Sequence, residues 1–343
     1  MAPKTPVITV LGSLNIDLVS YVSHHPLPGE TMTASSFAVS PGGKGANQAV
    51  ACAKLSRPRS HSRDGEEEET ETAHIRMVGA VGADTYGSLL TRNLSSHGVD
   101  VSGVAAPPSL KTGIAIIVVD EPTGQNRIIL SPEANHSLQP ESFSSASSPF
   151  LSDPKPDLLI MQLEIPLPTV LAALRAAREA GVPVLLNPAP AQELPADAYE
   201  GLAHLIVNET EASVLGGVDE SVLDTESGLA SVAEKFFARG VQNVVITLGG
   251  RGVYYLSSTA GQDGKGKKGL VPALKANVVD TTAAGDTFVG QYALEVVGAS
   301  AKDQGKGEGG FDIEAAVHKA NRAAAKTVEK LGAQDSIPWR DEL

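Results

Sequence analysis

The stretch Asp280-Thr-Thr-Ala-Ala-Gly-Asp-Thr-Phe288 runs into a helical pattern that continues to about residue 297. Its small residues Ala283, Ala284 and Gly285 let a backbone come close to a ligand, and the first amides of a helix have no acceptor inside it. Together they make an anion cradle. Asp286 lies in the same turn, where the positive end of the helix dipole favours its ionised form and leaves it able to take a proton from a hydroxyl. An aspartate at a helix start is also an ordinary N-cap, and the local pattern leaves both readings open.

Upstream, apolar runs at 7–12, 75–79, 158–162, 184–187, 205–207 and 244–248 alternate with helical patterns and Gly/Pro punctuation. Alternation of this kind specifies βα units and a mainly parallel sheet covered on both faces. Among the helices, TVLAALRAAREA at 169–180 is followed by Gly181, a suitable residue for a left-handed C-terminal turn. The β-rich runs at 18–22, 31–39, 113–119 and 127–130 have a different texture, the last two joined by Asp120-Glu-Pro-Thr-Gly-Gln-Asn126. They read as antiparallel hairpins of a small sheet, from about 18–39 and 113–130, set apart from the parallel core.

Composition narrows the function. The chain has 343 residues, 42% of them hydrophobic, and a mean hydropathy of −0.02, which suits a globular chain rather than a disordered or membrane-spanning one. Cys52 is the only cysteine, so neither a disulfide framework nor a cysteine-based zinc site can form, and a reducing cytosol is expected. With 27 basic and 40 acidic side chains the net charge is −13, a field that repels nucleic acid and leaves room only for a locally held anion. The apolar run 7–11 is too short for a signal peptide, and without one the terminal Arg340-Asp-Glu-Leu343 is a chance likeness to a retention signal. Expected localisation is therefore the cytoplasm, with the nucleus as an additional compartment. The eight histidines form no metal template, and Trp339 reads as a packing anchor.

Segments 56–73, 142–156, 261–269 and 298–310 read as flexible insertions. The first sets three arginines against six acids without apolar periodicity, the second is rich in Ser and Pro, and the other two are rich in Gly and Lys.

Further polar clusters stand at strand ends, where open α/β sheets bind ligands. Gly12-Ser-Leu-Asn-Ile-Asp17 places Asn15 and Asp17 just beyond the first strand, Met161-Gln-Leu-Glu-Ile-Pro166 supplies Glu164, and Asn208-Glu-Thr-Glu211 supplies Asn208 and Glu211. Amides and carboxylates suit sugar hydroxyls or a water-bound Mg2+. Thr247-Leu-Gly-Gly-Arg-Gly252 offers flexible backbone donors for phosphates. Pro41-Gly-Gly-Lys-Gly-Ala-Asn-Gln48 is neither a Walker A loop nor a complete G-x-G-x-x-G, yet it can bring Lys44 and Asn47 against a polyhydroxylated ligand. Such positioning, charge neutralisation and a base are what phosphoryl transfer requires.

At these motifs the sequence resembles the ribokinase-like, or PfkB, family of carbohydrate and nucleoside kinases, almost from end to end. Asp280 to Asp286 matches the family's second signature, and Gly42-Gly-Lys-Gly-Ala-Asn-Gln48 its first in the form ribokinases carry. The resemblance implies one domain over 1–343, with a three-layer α/β/α, Rossmann-like core and a β-sheet lid that forms a homodimer interface. It implies phosphorylation of D-ribose at O5 by MgATP, with Asp286 as general base and the backbone of Ala283, Ala284 and Gly285 as anion hole. By the same resemblance Asn15, Asp17, Gly43, Lys44, Gly45, Ala46, Asn47 and Glu164 hold the sugar. Asn208, Thr247, Leu248, Gly249, Gly250, Arg251, Gly252 and Asn321 border the nucleotide, and Glu211 organises Mg2+ through water. A monovalent cation, K+, is implied at Asp280, Thr282, Thr327, Lys330, Gly332 and Ser336. Related sugar or nucleoside kinases acting on fructose or adenosine, and a catalytically idle sugar-binding protein, are the alternatives.

Overall fold

Strands made of unbroken aliphatic runs must be covered on both faces. The computed structural model, which describes residues 4–59, 71–145, 147–260, 266–303 and 310–343, meets that requirement with helices. In chain order its strands are β1 (Val7–Leu11), β2 (Asn15–Val22), β3 (Ser36–Gly42), β4 (His74–Ala80), β5 (Asp100–Ala105), β6 (Gly113–Asp120), β7 (Asn126–Ser131), β8 (Leu158–Met161), β9 (Val184–Leu186), β10 (His204–Asn208), β11 (Asn243–Thr247), β12 (Val253–Ala260) and β13 (Gly266–Val271). The helices are α1 (Lys44–Leu55), α2 (Thr85–Ser96), α3 (Leu167–Glu179), α4 (Glu209–Gly216), α5 (Glu226–Ala238), α6 (Ala284–Asp303) and α7 (Ile313–Thr327).

The large sheet has the order β13-β12-β11-β10-β9-β8-β1-β4-β5. From β11 to β5 every neighbouring pair is parallel, while β12 and β13 return antiparallel at one edge. β1 and β8 are buried at every position. One core cluster packs α1, α6 and α7 against Ile8, Val10 and Ile160, and the other packs α3 and α5 against Leu11, Leu159 and Leu205. These are the three layers. α3 closes as its sequence requires: Gly181 takes φ 65°, its amide reaches Arg178 O and the Val182 amide reaches Ala177 O, the paired bonds of a Schellman ending.

The lid is a second sheet, β3-β2-β6-β7. The antiparallel pairs β2·β3 and β6·β7 are the two expected hairpins, and they join through β2 and β6, which run parallel. Two distant stretches of chain leave the core in the same direction and meet side by side. Asn15 and Asp17 stand just beyond the end of β1. They lie within β2, because the chain passes from β1 into the lid after only three residues, 12–14.

Segment 142–156 is not a loose insertion where described: Phe143 and Phe150 are buried and stack with ring centroids 6.4 Å apart. Two aromatic anchors outweigh a Ser/Pro-rich composition. Residues 266–269 belong to β13, and 298–303 extend α6; 261–265 and 304–309 lie outside the described residues, as do 60–70 of the acidic segment. The described start of that segment is anchored, with the Arg57 guanidinium 5.7 Å from the Trp339 ring centroid and the Arg59 amide bonded to Asp341. Among the described residues no helix is long and apolar enough to cross a membrane.

Candidate active site

α6 starts at Ala284, and the residue before it, Ala283, adopts φ 61°. That left-handed conformation costs an alanine about 1–2 kcal/mol. It is held by Thr287, whose amide and hydroxyl both donate to Ala283 O at 2.8 and 2.9 Å. The turn aims the first amides of α6, including those of Gly285 and Asp286, outward from the helix end. Asp286 sits in the first turn and is 7% exposed. Its carboxylate accepts from Asn47 Nδ2 at 3.1 Å and Gln48 Nε2 at 2.9 Å. It faces α1 rather than capping its own helix, so the N-cap reading that the local sequence allowed does not describe it.

The two helices meet because of Gly290. A Cβ there would lie 2.6 Å from Ala51 Cβ and 2.9 Å from the Cys52 amide. Gly290 is four residues after Asp286, and Ala51 and Cys52 are four after Asn47 and Gln48, so the same close approach, one turn earlier in both helices, brings Asn47 and Gln48 to Asp286.

The Gly-rich loop and the ends of β1 and β8 interlock. Gly45 and Ala46 pack on Ser13, whose carbonyl accepts the Ala46 amide at 2.9 Å. Glu164 accepts from Ser13 Oγ at 2.6 Å and the Lys44 amide at 3.0 Å through a single oxygen, Oε2. Asn15 Oδ1 accepts from buried Asn135 Nδ2 at 2.8 Å, which leaves its own Nδ2 to face outward as a donor. Asn47 Oδ1 also accepts from Gln334, so the side chain keeps one N–H of Nδ2 for a further acceptor.

Electrostatics tie these groups together. Burial, and then the charges of Glu164 and Asp286, push the Asp17 carboxyl up to about 7. Burial opposes the charge on Lys44, yet Asp286, Glu164 and Glu211 outweigh it and raise the ammonium above the usual lysine range. Glu211 is raised by burial and Asp286, against the pull of the Asn208 amide and Lys44.

Two adjoining cavities share Thr247, Thr281 and Gly285. The smaller, about 220 Å³, is polar and exposes Lys44, Asn208, Glu211 and Asp286. The larger, about 510 Å³, is walled by Val253, Leu274, Val278 and Phe288, with Gly249, Gly250, Gly252 and Asn321 at its margin. Two expected members of the nucleotide loop do not line it. Leu248 is core, and Arg251 turns away to pair with Glu209 and bond to Leu223 O. Asn208 and Glu211 form a capping box on α4, so their first duty is to shape the cavity wall.

The loop before α6 is joined to the chain's last segment. The Val279 and Asp280 amides donate to Val328 O, and the Gly332 amide donates to Asp280 Oδ2 at 3.0 Å. Burial works against the Asp280 charge, but bonds from Thr282 and Gly332 hold its carboxyl below the usual range. Thr327 and Ser336 are buried with their hydroxyls donating to neighbours, and each oxygen keeps acceptor capacity. An ionised carboxylate, hydroxyl oxygens and backbone carbonyls are the donor types that a large monovalent cation takes. Lys330 Nζ instead pairs with Glu342, leaving only its backbone for that site. Among the described residues no cluster of three or more His, Cys, Asp or Glu could hold a metal ion.

The profile of the pfkB family carbohydrate kinases matches residues 6–340. The chain belongs to the pfkB family. This pfkB-family chain is 39% identical over 334 residues to a ribokinase of Schizosaccharomyces pombe, covering 96% of this chain and 94% of that one. It is 33% identical over 332 residues to a deoxyribokinase of Salmonella typhi, covering 96% and 95%. The structure of Arabidopsis thaliana ribokinase complexed with ribose and ATP superposes with a TM-score of 0.78 at 29% identity, over 98% of this chain and 97% of that one. The pfkB-family fold thus brings both sequence signatures to one place, but it also recruits Gln48, Asn135, Asn187 and Gln334. The sequence reading gives these no role, although Gln48 stands inside the Gly-rich motif and Gln334 between Gly332 and Ser336.

Proposed function

We propose that the chain transfers the γ-phosphoryl group of MgATP to O5 of D-ribose, giving D-ribose 5-phosphate and ADP. The observation that carries this reading is the pair of joined cavities, one apolar and one polar, with Asp286 and the α6 amides at the polar end. The apolar cavity suits adenine, with the phosphates running toward Lys44 and the helix end. Asp286 takes the proton from the attacking hydroxyl, while Asn15, Asp17, Lys44 and Glu164 orient the sugar. The amides of Gly285 and Asp286 face the charge that grows on the transferring group, and Lys44 offsets it. Glu211 meets the substrate's Mg2+ through water.

K+ would be held by Asp280 and Ser336 with the carbonyls of Thr282, Thr327, Lys330 and Gly332. Bound there, it supplies fixed positive potential behind the anion cradle. The lid supports a homodimer: across β3-β2-β6-β7 the residues Val39, Leu18, Ile116 and Ile129 fall in one register row, and Phe37, Val39, Ile116 and Ile129 are exposed. An open apolar sheet face of this kind fits a second copy. A cytosolic setting accords with the lone, buried thiol of Cys52.

The test is ADP release with ribose, 2-deoxyribose, adenosine, fructose or no sugar at equal subsaturating concentrations. Ribose should give the fastest turnover, with ribose 5-phosphate as product. Faster turnover with 2-deoxyribose, the reading that the Salmonella relative favours, or with adenosine would overturn the substrate and leave the kinase class standing.

A further inference from the structure

We infer that the general base is aimed by two converging chains of side-chain amides, and that Gln334 and Gln162, neither of which touches Asp286, are positioning residues for phosphoryl transfer. The inference rests on Asp286 being the base. The longer chain runs from Asn93 Nδ2 to Gln334 Oε1 at 2.6 Å, from Gln334 Nε2 to Asn47 Oδ1 at 3.0 Å, and from Asn47 Nδ2 to Asp286 Oδ2 at 3.1 Å. The shorter runs from Gln162 Nε2 to Gln48 Oε1 at 2.6 Å and from Gln48 Nε2 to Asp286 Oδ1 at 2.9 Å. Each carboxylate oxygen is thus fixed by a separate chain.

The direction of both chains follows from the carboxylate. An ionised Asp286 can only accept, so Asn47 and Gln48 must turn their NH2 groups to it. Their carbonyls then face away and need donors, which Gln334 and Gln162 supply. Gln48 has no latitude, since its other N–H donates to Asn187 Oδ1 at 3.0 Å, and Asn187 is itself tied to Ile206 O. At the end of the shorter chain Gln162 Oε1 is buried without a hydrogen-bond partner among the described residues. Turning that amide over would set two carbonyl oxygens 2.6 Å apart, so the protein keeps the orphaned acceptor and the polarity with it. Buried orphans of this kind call for a functional explanation.

Neutral amides suit the task. They fix both oxygens in place without the full positive charge that would weaken a base. Gln334 is held in turn by buried Lys54, whose ammonium donates to the carbonyls of Gln334 and Ile337 at 2.8 and 2.9 Å. Two residues before Gln334, the Gly332 amide bonds to Asp280. The proposed cation loop and the base are therefore braced by one short stretch of chain.

The test compares kcat and KM for Gln334→Leu, Gln334→Glu, Gln162→Leu, Asp286→Asn and the double variant Asp286→Asn/Gln334→Leu, with folding followed by circular dichroism melts. Gln334→Leu should lower kcat about tenfold with KM for ribose and ATP within about threefold, the signature of an interaction felt in the transition state. Gln334→Glu should lower it further, because an ionised glutamate cannot donate to Asn47. In the Asp286→Asn background Gln334→Leu should have no further effect, since nothing remains to aim. Equal losses in both backgrounds would reveal a merely structural glutamine and overturn the inference, as would unchanged kcat in both the Gln334→Leu and Gln162→Leu proteins. If Gln334→Leu does not fold, Gln162→Leu on the independent chain carries the same comparison. Wild-type turnover in Asp286→Asn would remove the base and the inference together, whereas a slow Asp286→Asn beside active glutamine variants would remove the inference alone.

Discussion

Asp17→Asn should stabilise the ligand-free protein, and more so as pH rises. Folding carries the Asp17 carboxyl from its ordinary 3.8 up to about 7, through burial first and then the charges of Glu164 and Asp286. The unfolded chain gives up this proton near pH 4, whereas the native state keeps it until about pH 7, so the group destabilises the native state across that interval and fully above it. Each pH unit of separation is worth about 1.4 kcal/mol. The penalty is then about 1.5 kcal/mol at pH 5 and about 4 kcal/mol at pH 8. Asparagine has nearly the same shape and no charge to lose, so the variant's gain over wild type should grow by about 2.5 kcal/mol between these pH values. Urea unfolding without ligand at pH 5, 6.5 and 8 measures it. The same substitution should weaken ribose binding, because the carboxylate is then missing from the sugar site. A gain that does not change with pH, or a variant less stable than wild type at pH 8, would refute the reasoning.

Three further outcomes are expected. Gly45→Ala should cost about 1–3 kcal/mol in urea unfolding and raise KM for ribose, since its Cβ would lie 2.6 Å from the Ser13 amide and 2.7 Å from Ser13 O; wild-type stability would mean that the loop yields freely. Ile116→Lys, at the centre of the exposed lid row and 42% exposed, should shift sedimentation from dimer to monomer without loss of helical signal, and an unchanged sedimentation coefficient would place the interface elsewhere. At constant ionic strength turnover should be higher in K+ than in Na+ or tetramethylammonium, and Asp280→Asn should abolish the difference; equal rates in all three would withdraw the cation site.

The core was legible in the sequence because its signals are local. Each aliphatic run had to be a buried strand, and Gly181 had to end its helix wherever that helix packed. Segment 142–156 misled for the converse reason: composition averages over residues, and Phe143 and Phe150 fix it through contacts that an average conceals. The site was legible only as an inventory. Asn47, Gln48 and Asp286 stand in quoted motifs and Gln334 between Gly332 and Ser336, yet hydrogen bonds across 239 and 287 residues leave no periodic trace, so sequence could not tell a ligand-facing amide from one engaged by another amide. Asn15 and Asn47 show the difference. Both were expected to hold the sugar; Asn15 receives one bond from Asn135, and Asn47 is bonded to both Gln334 and Asp286 with one N–H to spare. Substituting Asn47 therefore removes a donor from Asp286 whether or not it also removes one from the sugar, and a lower kcat in such a variant cannot by itself be taken as evidence of sugar contact. The contact of Asn47 and Gln48 with Asp286 is set by the spacing of α1 and α6, which the absence of a side chain at Gly290 permits; one added methyl group there would separate the helices that bring the two motifs together.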